Sequence, residues 1–187
     1  MLRRFYVDEQ TVLRPLTEAD PQPLFEAVDR NRAHLRRFLP WLDSTRSVRD
    51  IEAFRARVQA QEREGSGLSR VIEHAAAISG VVGFNHIDLL NRRAEIGYWI
   101  DRTLEGRGLM RRSCAQLIRY AFEELDMHRV SIDAAVDNRR SRALAERLGF
   151  TLEGVRREAE WLYDHFVDHA QYGLLEREWR AAHARTE

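Results

Sequence analysis

The sequence predicts a mixed α/β fold, and three observations carry that prediction. Apolar residues recur three and four apart at Met110, Cys114, Leu117, Ile118, Ala121, Phe122 and Leu125, with Arg111, Arg112, Arg119, Glu123 and Glu124 outside the stripe, which is the pattern of an amphipathic helix. Around residue 97 the period changes to two: Ala94, Ile96, Tyr98 and Ile100 alternate with Glu95, Gly97, Trp99 and Asp101, the pattern of a strand. Through the second half of the chain the two kinds of segment follow one another as strand, helix, strand, helix.

Taken in order, Thr11 to Leu16 reads as a short strand, and Thr17-Glu18-Ala19-Asp20 as a capping box for a first helix carrying Leu24, Phe25 and Val28. The arginine-rich stretch NRAHLRRFLPWLDSTRS follows. Its Leu35, Phe38, Leu39 and Trp41, around Pro40, read either as a loop that offers aromatics to a substrate or as apolar packing beneath a loop. Ser47-Val48-Arg49-Asp50 caps a second helix with Ile51, Phe54 and Val58 on one side, ending near Gly65 and Gly67. Residues 68–78, 80–90 and 93–101 read as three strands of an antiparallel meander, the last two joined at Asn91. After the helix from Met110 to Leu125 come a strand in RVSIDAAV, a helix from about Arg139 to Leu148, and Gly149 as its C-cap. Residues 151–160 and 165–175 supply two more strands. No repeat, low-complexity run or linker interrupts the series, so one domain is expected across residues 1–187.

Composition narrows the partners. The chain is 44% hydrophobic and 32% charged, ordinary for a folded domain with a substantial core. Its 30 basic residues, all arginine, balance 30 acidic ones, so no global field draws it to nucleic acid or to a membrane, and a small molecule or a protein fits better. One cysteine excludes an internal disulfide framework, and neither a secretion signal nor a long uncharged apolar run is present, so a soluble cytoplasmic protein is expected.

The chemistry begins at LEGRGLMRRSCAQLIRYAFEEL, where two glycines in a short polar loop open a helix. Such a loop leaves several N–H groups unpaired and pointing one way, which suits an anion. It is not a triphosphate P-loop, because no Lys-Ser/Thr pair follows Gly106 and Gly108, and it is not the dinucleotide fingerprint, because Arg111 stands where the third glycine belongs.

Its surroundings say more. LEGRGLM, preceded by AEIGYWID and followed by VDNRRSRALAERLGFTLEG, resembles the acetyl-coenzyme A signature of the GCN5-related N-acetyltransferases, here Glu105 to Met110 and Asn138 to Gly154. Within that superfamily the chain is most similar to the ribosomal-protein-serine and ribosomal-protein-alanine N-acetyltransferases. NRAHLRRFLPWLD, GVVGFNHID, EIGYWID, GRGLM, DNRRSRALAERLGFTLEG and EAEWL carry that similarity over roughly residues 10 to 178. The resemblance implies a mostly antiparallel sheet of six to seven strands, with about four helices on both faces and central strands splayed to hold acetyl-coenzyme A as cosubstrate. It leaves a homodimer open as the assembly.

Two positions depart from the family pattern: Glu105 stands where glutamine or arginine is usual, and Met110 where glycine or alanine is frequent. A carboxylate facing a pyrophosphate would cost on the order of 1 kcal/mol or more, so the Glu105 side chain is expected to point away. Backbone N–H groups from Arg107 through Gly108, Leu109 and Met110 to Arg111 are then the expected pyrophosphate ligands, with the guanidinium of Arg107 or Arg112 in support.

The family reaction is direct attack of an amine on the acetyl thioester. The resemblance makes Glu160, in the segment AEWL, the base that takes the amine's proton, and Ser141 the hydroxyl that meets the departing thiolate. Solvation of Glu160 and helix capping by Ser141 are the plainer roles. Asn138 is expected to bond the pantetheine arm, to cap its helix, or both. Backbone groups of Trp99, Ile100 and Asp101 are expected to line the splayed strand, with a bulge at Gly97. Phe38, Trp41 and Asn85 are the candidates for the acceptor end. Cys114 lies in its helix's apolar stripe and reads as core rather than nucleophile. His165 and His169 sit on an alternating strand where a four-residue spacing does not suit a metal, and no metal is expected. Tyr163 and Asp164, near Glu160, read either as substrate contacts or, more plainly, as a turn. The leading reading is an acetyltransferase acting on a protein N-terminal amine, the first alternative a small-molecule amine acetyltransferase for an antibiotic, polyamine or amino-acid derivative, and the second a non-catalytic acyl-coenzyme A sensor.

Overall fold

A computed structural model describes residues 3–184. The chain lays down strands β1 (Phe5–Asp8) and β2 (Thr11–Arg14), helices α1 (Pro21–Leu35) and α2 (Val48–Glu64), and strands β3 (Leu68–His74), β4 (Ala77–Asp88) and β5 (Arg93–Ile100). Helix α3 (Leu109–Glu123), strand β6 (Arg129–Ala135), helix α4 (Arg139–Arg147), strands β7 (Thr151–Leu162) and β8 (His165–Leu175), and helix α5 (Glu176–His183) complete it. One eight-stranded sheet runs in the order β1-β2-β3-β4-β5-β6-β8-β7. Among the described residues, only β5 and β6 pair in parallel, and α3 is the crossover that a parallel pair requires.

Strand β3 shows why helices cover both faces. Val71 packs with Leu24, Val28, Leu35, Ile51 and Val58 of α1 and α2, while its neighbour Ile72 joins the cluster around Leu109, Cys114, Leu117 and Phe122 of α3. Adjacent strand residues point to opposite faces, so both faces are core and the strand places two apolar residues, Val71 and Ile72, in succession. Cys114 is fully buried there, and burial pushes its thiol far above the usual range, as expected of a packing residue.

Among the described residues, eight strands and five helices exceed the expected six to seven and four because β1 and α5 were not legible. β1 is four residues long, and α5 follows β8 with no glycine or proline break, its start marked by the Leu175 N–H donating to the Glu178 carboxylate at 3.0 Å. The first helix starts later than its apparent box. Thr17 does bond Asp20 through its N–H and hydroxyl, at 2.6 and 2.9 Å, but Arg14 holds the same carboxylate at 2.7 and 2.9 Å, and Pro21 opens the helix with its φ already set. The box at Ser47 and Asp50 and the left-handed cap at Gly149 form as expected. The break between β3 and β4 falls at Ala75-Ala76, not near residue 79, and the strand expected over 80–90 stops at Asp88, leaving Leu89 and Leu90 exposed.

The sheet's central feature is a gap. β5 and β6 pair only where Arg93–Glu95 face Arg129–Ser131, after which β5 stays with β4 and β6 with β8. Beyond Glu95 and Ser131 the two strands splay apart. Gly97 does not form the expected bulge: it pairs regularly with Gly83, and the irregularity lies on β4 between Phe84 and His86. Gly97 is instead a close-approach residue, since a Cβ there would fall 2.3 Å from the Asn85 amide oxygen.

Candidate active site

The glycine loop meets α3 as its spacing requires. Gly106 and Gly108 take φ of +76° and +71°, a region that penalises side chains, and Gly108 is the N-cap of α3. The first intrahelical bond runs from the Arg112 N–H to the Gly108 carbonyl at 3.1 Å, so the N–H groups of Leu109, Met110 and Arg111 have no partner within the helix. Leu109 and Met110 bury their side chains in the core, so only their backbone is offered to a ligand. Arg107 is exposed beside the loop, whereas Arg112 is engaged by Asp8 at 2.9 Å. The Glu105 carboxylate is bound by His34 at 2.7 Å and by Arg140, which neutralises it and ties the loop to α1 and α4. Burial and the charges of Arg102, Arg140 and Arg37 hold His34 below the usual imidazole range.

Across the gap, the Tyr98 hydroxyl on β5 and the Ser141 hydroxyl on α4 stand 2.8 Å apart. Burial pushes the Tyr98 phenol well above its usual range, so it stays protonated beside Ser141. Asn138 caps α4 by accepting the Ser141 N–H at 3.2 Å, and its amide nitrogen remains available to a second group. A cavity of about 760 Å³ takes in Tyr98, Trp99, Asn138 and Ser141 and extends to Glu160, Phe38, Trp41 and Asn85. Seven of its lining residues are titratable side chains other than tyrosine: Asp50, Arg57, Glu95, Asp133, Arg156, Glu160 and His169. The loop is packed by Leu39 and Trp41 against α1 and α2, as the apolar-packing reading of that aromatic stretch expects, and Phe38 and Trp41 also line the cavity. The turn Tyr163-Asp164 fastens this loop, for the Tyr163 hydroxyl donates to the Leu39 carbonyl and Arg36 lies over the Tyr163 ring at 3.8 Å.

One expected ligand is displaced. The Asp101 N–H donates to the Ser79 carbonyl at 2.7 Å, and its carboxylate is held by Arg30, Asn31 and Thr103 at 2.8 to 2.9 Å. Asp101 therefore offers no free N–H to the gap and lines a separate cavity of about 480 Å³ with Arg30, Asn31, His34 and Arg102. Its role is to end β5 firmly. Trp99 lines the main cavity and Ile100 lies on the splayed portion of β5 beyond the paired residues. Tyr98, His169 and the Asp133–Arg156 pair at 3.0 Å were missed, because alternation marks them only as strand residues. Among the described residues, no group of three or more His, Cys, Asp and Glu side chains could hold a metal, and no helix is long and apolar enough to cross a membrane.

An unpaired run of N–H groups at a helix start, beside a splayed pair of strands that leads to an open cavity, suits an extended anionic carrier. Residues 10–151 match the family model described as an acetyltransferase (GNAT) domain. The chain is 34% identical over 177 residues to YdaF of Bacillus subtilis (strain 168), covering 92% of this chain and 95% of that protein. It is 31% identical over 176 residues to the ribosomal-protein-serine acetyltransferase of Escherichia coli (strain K12), covering 94% and 98%. Among solved structures it is similar to RimL, a ribosomal L7/L12 alpha-N-protein acetyltransferase in complex with coenzyme A, with a TM-score of 0.88 and 30% identity over 92% of this chain and 98% of that one. It is also similar to the microcin C7 self-immunity acetyltransferase MccE in complex with acetyl-CoA and AMP, with a TM-score of 0.87 and 29% identity over 90% and 94%. With the cradle, the splay and these likenesses together, the chain belongs to the GCN5-related N-acetyltransferase (GNAT) family and is an acetyl-coenzyme A-dependent N-acetyltransferase.

Proposed function

We propose that the enzyme acetylates the N-terminal α-amine of a protein, of the ribosomal-protein type, with Glu160 as base and Ser141 as proton donor to the departing thiolate. One observation carries this reading: a single cavity contains Ser141 and Asn138 at the splay and Glu160, Phe38, Trp41 and Asn85 toward the loop. Two relatives support the acceptor class, since their names specify ribosomal-protein serine and the α-N position of a ribosomal protein. The N–H groups of Arg107 to Arg111 hold the pyrophosphate, and Asn138 with the backbone at Trp99 and Ile100 holds the pantetheine arm.

A peptide α-amine has a pKa near 8 and is mostly protonated at neutral pH, so it must lose one proton before it can attack. Glu160 takes that proton and returns it to solvent. The nitrogen's second proton leaves as the new amide forms and the carbon–sulfur bond breaks; Ser141, held by Tyr98, gives its hydroxyl proton to the thiolate and regains one by way of solvent, which takes the nitrogen's second proton. The products are the acetylated amine, free coenzyme A thiol and one released proton.

A panel of peptides with N-terminal serine or alanine, set against polyamines and amino-acid derivatives and followed by thiol release, tests the acceptor. Peptides are expected to give the higher kcat/KM. A small amine outrunning every peptide would replace this reading, and binding of the carrier without any transfer would make the chain a sensor. Glu160→Gln is expected to lower kcat by roughly 10²- to 10⁴-fold with acetyl-coenzyme A binding intact. Unchanged transfer by Glu160→Gln and Ser141→Ala would remove both assigned roles.

A further inference from the structure

His169 is the cavity-lining histidine for which the chemistry above has no task. It stands on β8 opposite Ala135 of β6 and Arg156 of β7. From there the β7 register jumps: Arg156 faces His169, yet the next paired residue, Glu160, faces Val167. The intervening residues form a bulge in which Glu158 takes a φ of +48° and donates its N–H to the Asp168 carboxylate at 2.8 Å. The bulge leaves Glu160 diagonal to His169, a spacing that long side chains span. Glu160 Oε2 lies 3.3 Å from His169 Nε2.

The two ring nitrogens differ. Nδ1 is enclosed and has no hydrogen-bond partner among the described residues, so it cannot meet an incoming amine, and a proton placed there would find no acceptor. A carboxylate only accepts, so Nε2 faces Glu160 as a donor. The other charged groups on this wall do not compete, because Arg156 of β7 is held by Asp133 of β6 at 3.0 Å. A buried ring nitrogen with no partner is a cost that an apolar side chain would avoid, which points to a use for the other nitrogen.

We infer that His169 is a positioning residue whose Nε2–H steadies one oxygen of Glu160 so that the other faces the acceptor amine. The inference rests on Glu160 being the base. The proton moves from the amine nitrogen to the free oxygen of Glu160 and then to solvent, while His169 keeps its own proton throughout. At 3.3 Å the contact is a close approach rather than an aligned hydrogen bond, and contacts of this kind tighten when the acceptor binds.

A set of variants assayed by thiol release, with folding followed by circular dichroism, tests it. His169→Leu is expected to lower kcat by roughly ten- to a hundredfold, the worth of a hydrogen bond to a charged group, with KM for acetyl-coenzyme A unchanged. His169→Gln places an amide nitrogen near the Nε2 position and is expected to recover most of that loss. His169→Asn stops at the Nδ1 position and recovers none, and this pair carries the test should the leucine variant not fold. In a Glu160→Ala background, His169→Leu is expected to have no further effect. Equal losses in both backgrounds, no loss in the wild-type background, or rescue by asparagine as good as by glutamine would overturn the inference. Full activity in Glu160→Ala alone would bring down the base assignment itself, a result distinct from any failure of His169.

Discussion

Gly97→Ala tests how the wall of the cavity at Asn85 is built. Asn85 sits in the β4 irregularity and folds its amide over Gly97, so an added methyl would fall 2.3 Å from Oδ1, 2.4 Å from Nδ2 and 2.6 Å from Cγ. Ordinary contacts between such atoms lie near 3.5 Å, so the amide must retreat by about 1 Å. The obstructing atoms are the end of a flexible side chain, so the response is displacement of Asn85 rather than parting of the strands. Overpacking of this kind costs about 1–3 kcal/mol, which for a chain of this size lowers Tm by roughly 2–10 °C. Because Asn85 lines the cavity, KM for the acceptor is expected to rise while KM for acetyl-coenzyme A stays constant. Adding Asn85→Ala to Gly97→Ala removes the obstruction and should return most of the lost stability. Gly80→Ala is the control, since its methyl would meet the Trp99 carbonyl oxygen at 2.3 Å, a backbone atom that no side-chain deletion can move. Thermal melts and urea unfolding of wild type, Gly97→Ala, Asn85→Ala and the double variant form a double-mutant cycle, with Gly80→Ala beside it. A Gly97→Ala protein as stable as wild type, or one that Asn85→Ala fails to rescue, would refute the packing argument.

Two further outcomes follow from buried charge and backbone strain. Burial alone would raise the Asp101 carboxyl, but bonds from Asn31, Thr103 and Arg30 hold it well below the usual carboxylate range, so its stabilisation is complete above about pH 4 and lost as pH falls toward the folded-state value. Urea unfolding at pH 7 and pH 3 should therefore show a smaller acid loss in Asp101→Asn than in wild type, and an equal loss would exclude Asp101 as a contributor. Ala75 and Ala76 take φ of +48° and +63° in a two-residue hairpin, where the left-handed region costs an alanine about 1 kcal/mol. Ala75→Asn with Ala76→Gly should raise stability by about 1–2 kcal/mol, read as a higher Tm, and a lower Tm would contradict the strain.

Local periodicity was enough to place α3, α4, the meander and the cap at Gly149, because a stripe of apolar residues and a left-handed glycine are properties of a few neighbouring residues. The glycine loop was legible for the same reason: φ at Gly106 and Gly108 and the unpaired amides of Leu109 to Arg111 are local consequences of a helix beginning there. The turn at Ala75-Ala76 was not legible, since alanine gives no signal for a conformation that tertiary pairing of β3 and β4 imposes. Nor was the fate of Asp101, which depends on Arg30, Asn31 and Ser79, brought to it from α1 and β4. The pairing of Tyr98 with Ser141 and the approach of His169 to Glu160 also arise only when strands and helices distant in the chain or offset by a bulge are set side by side. Sequence alone thus determined the helices and strands other than β1 and α5, and which loop frees its amides at a helix start, because those follow from nearest neighbours. Tertiary structure decided which side chains share the cavity, because that depends on where β5 parts from β6 and how far the β7 bulge turns Glu160 toward β8.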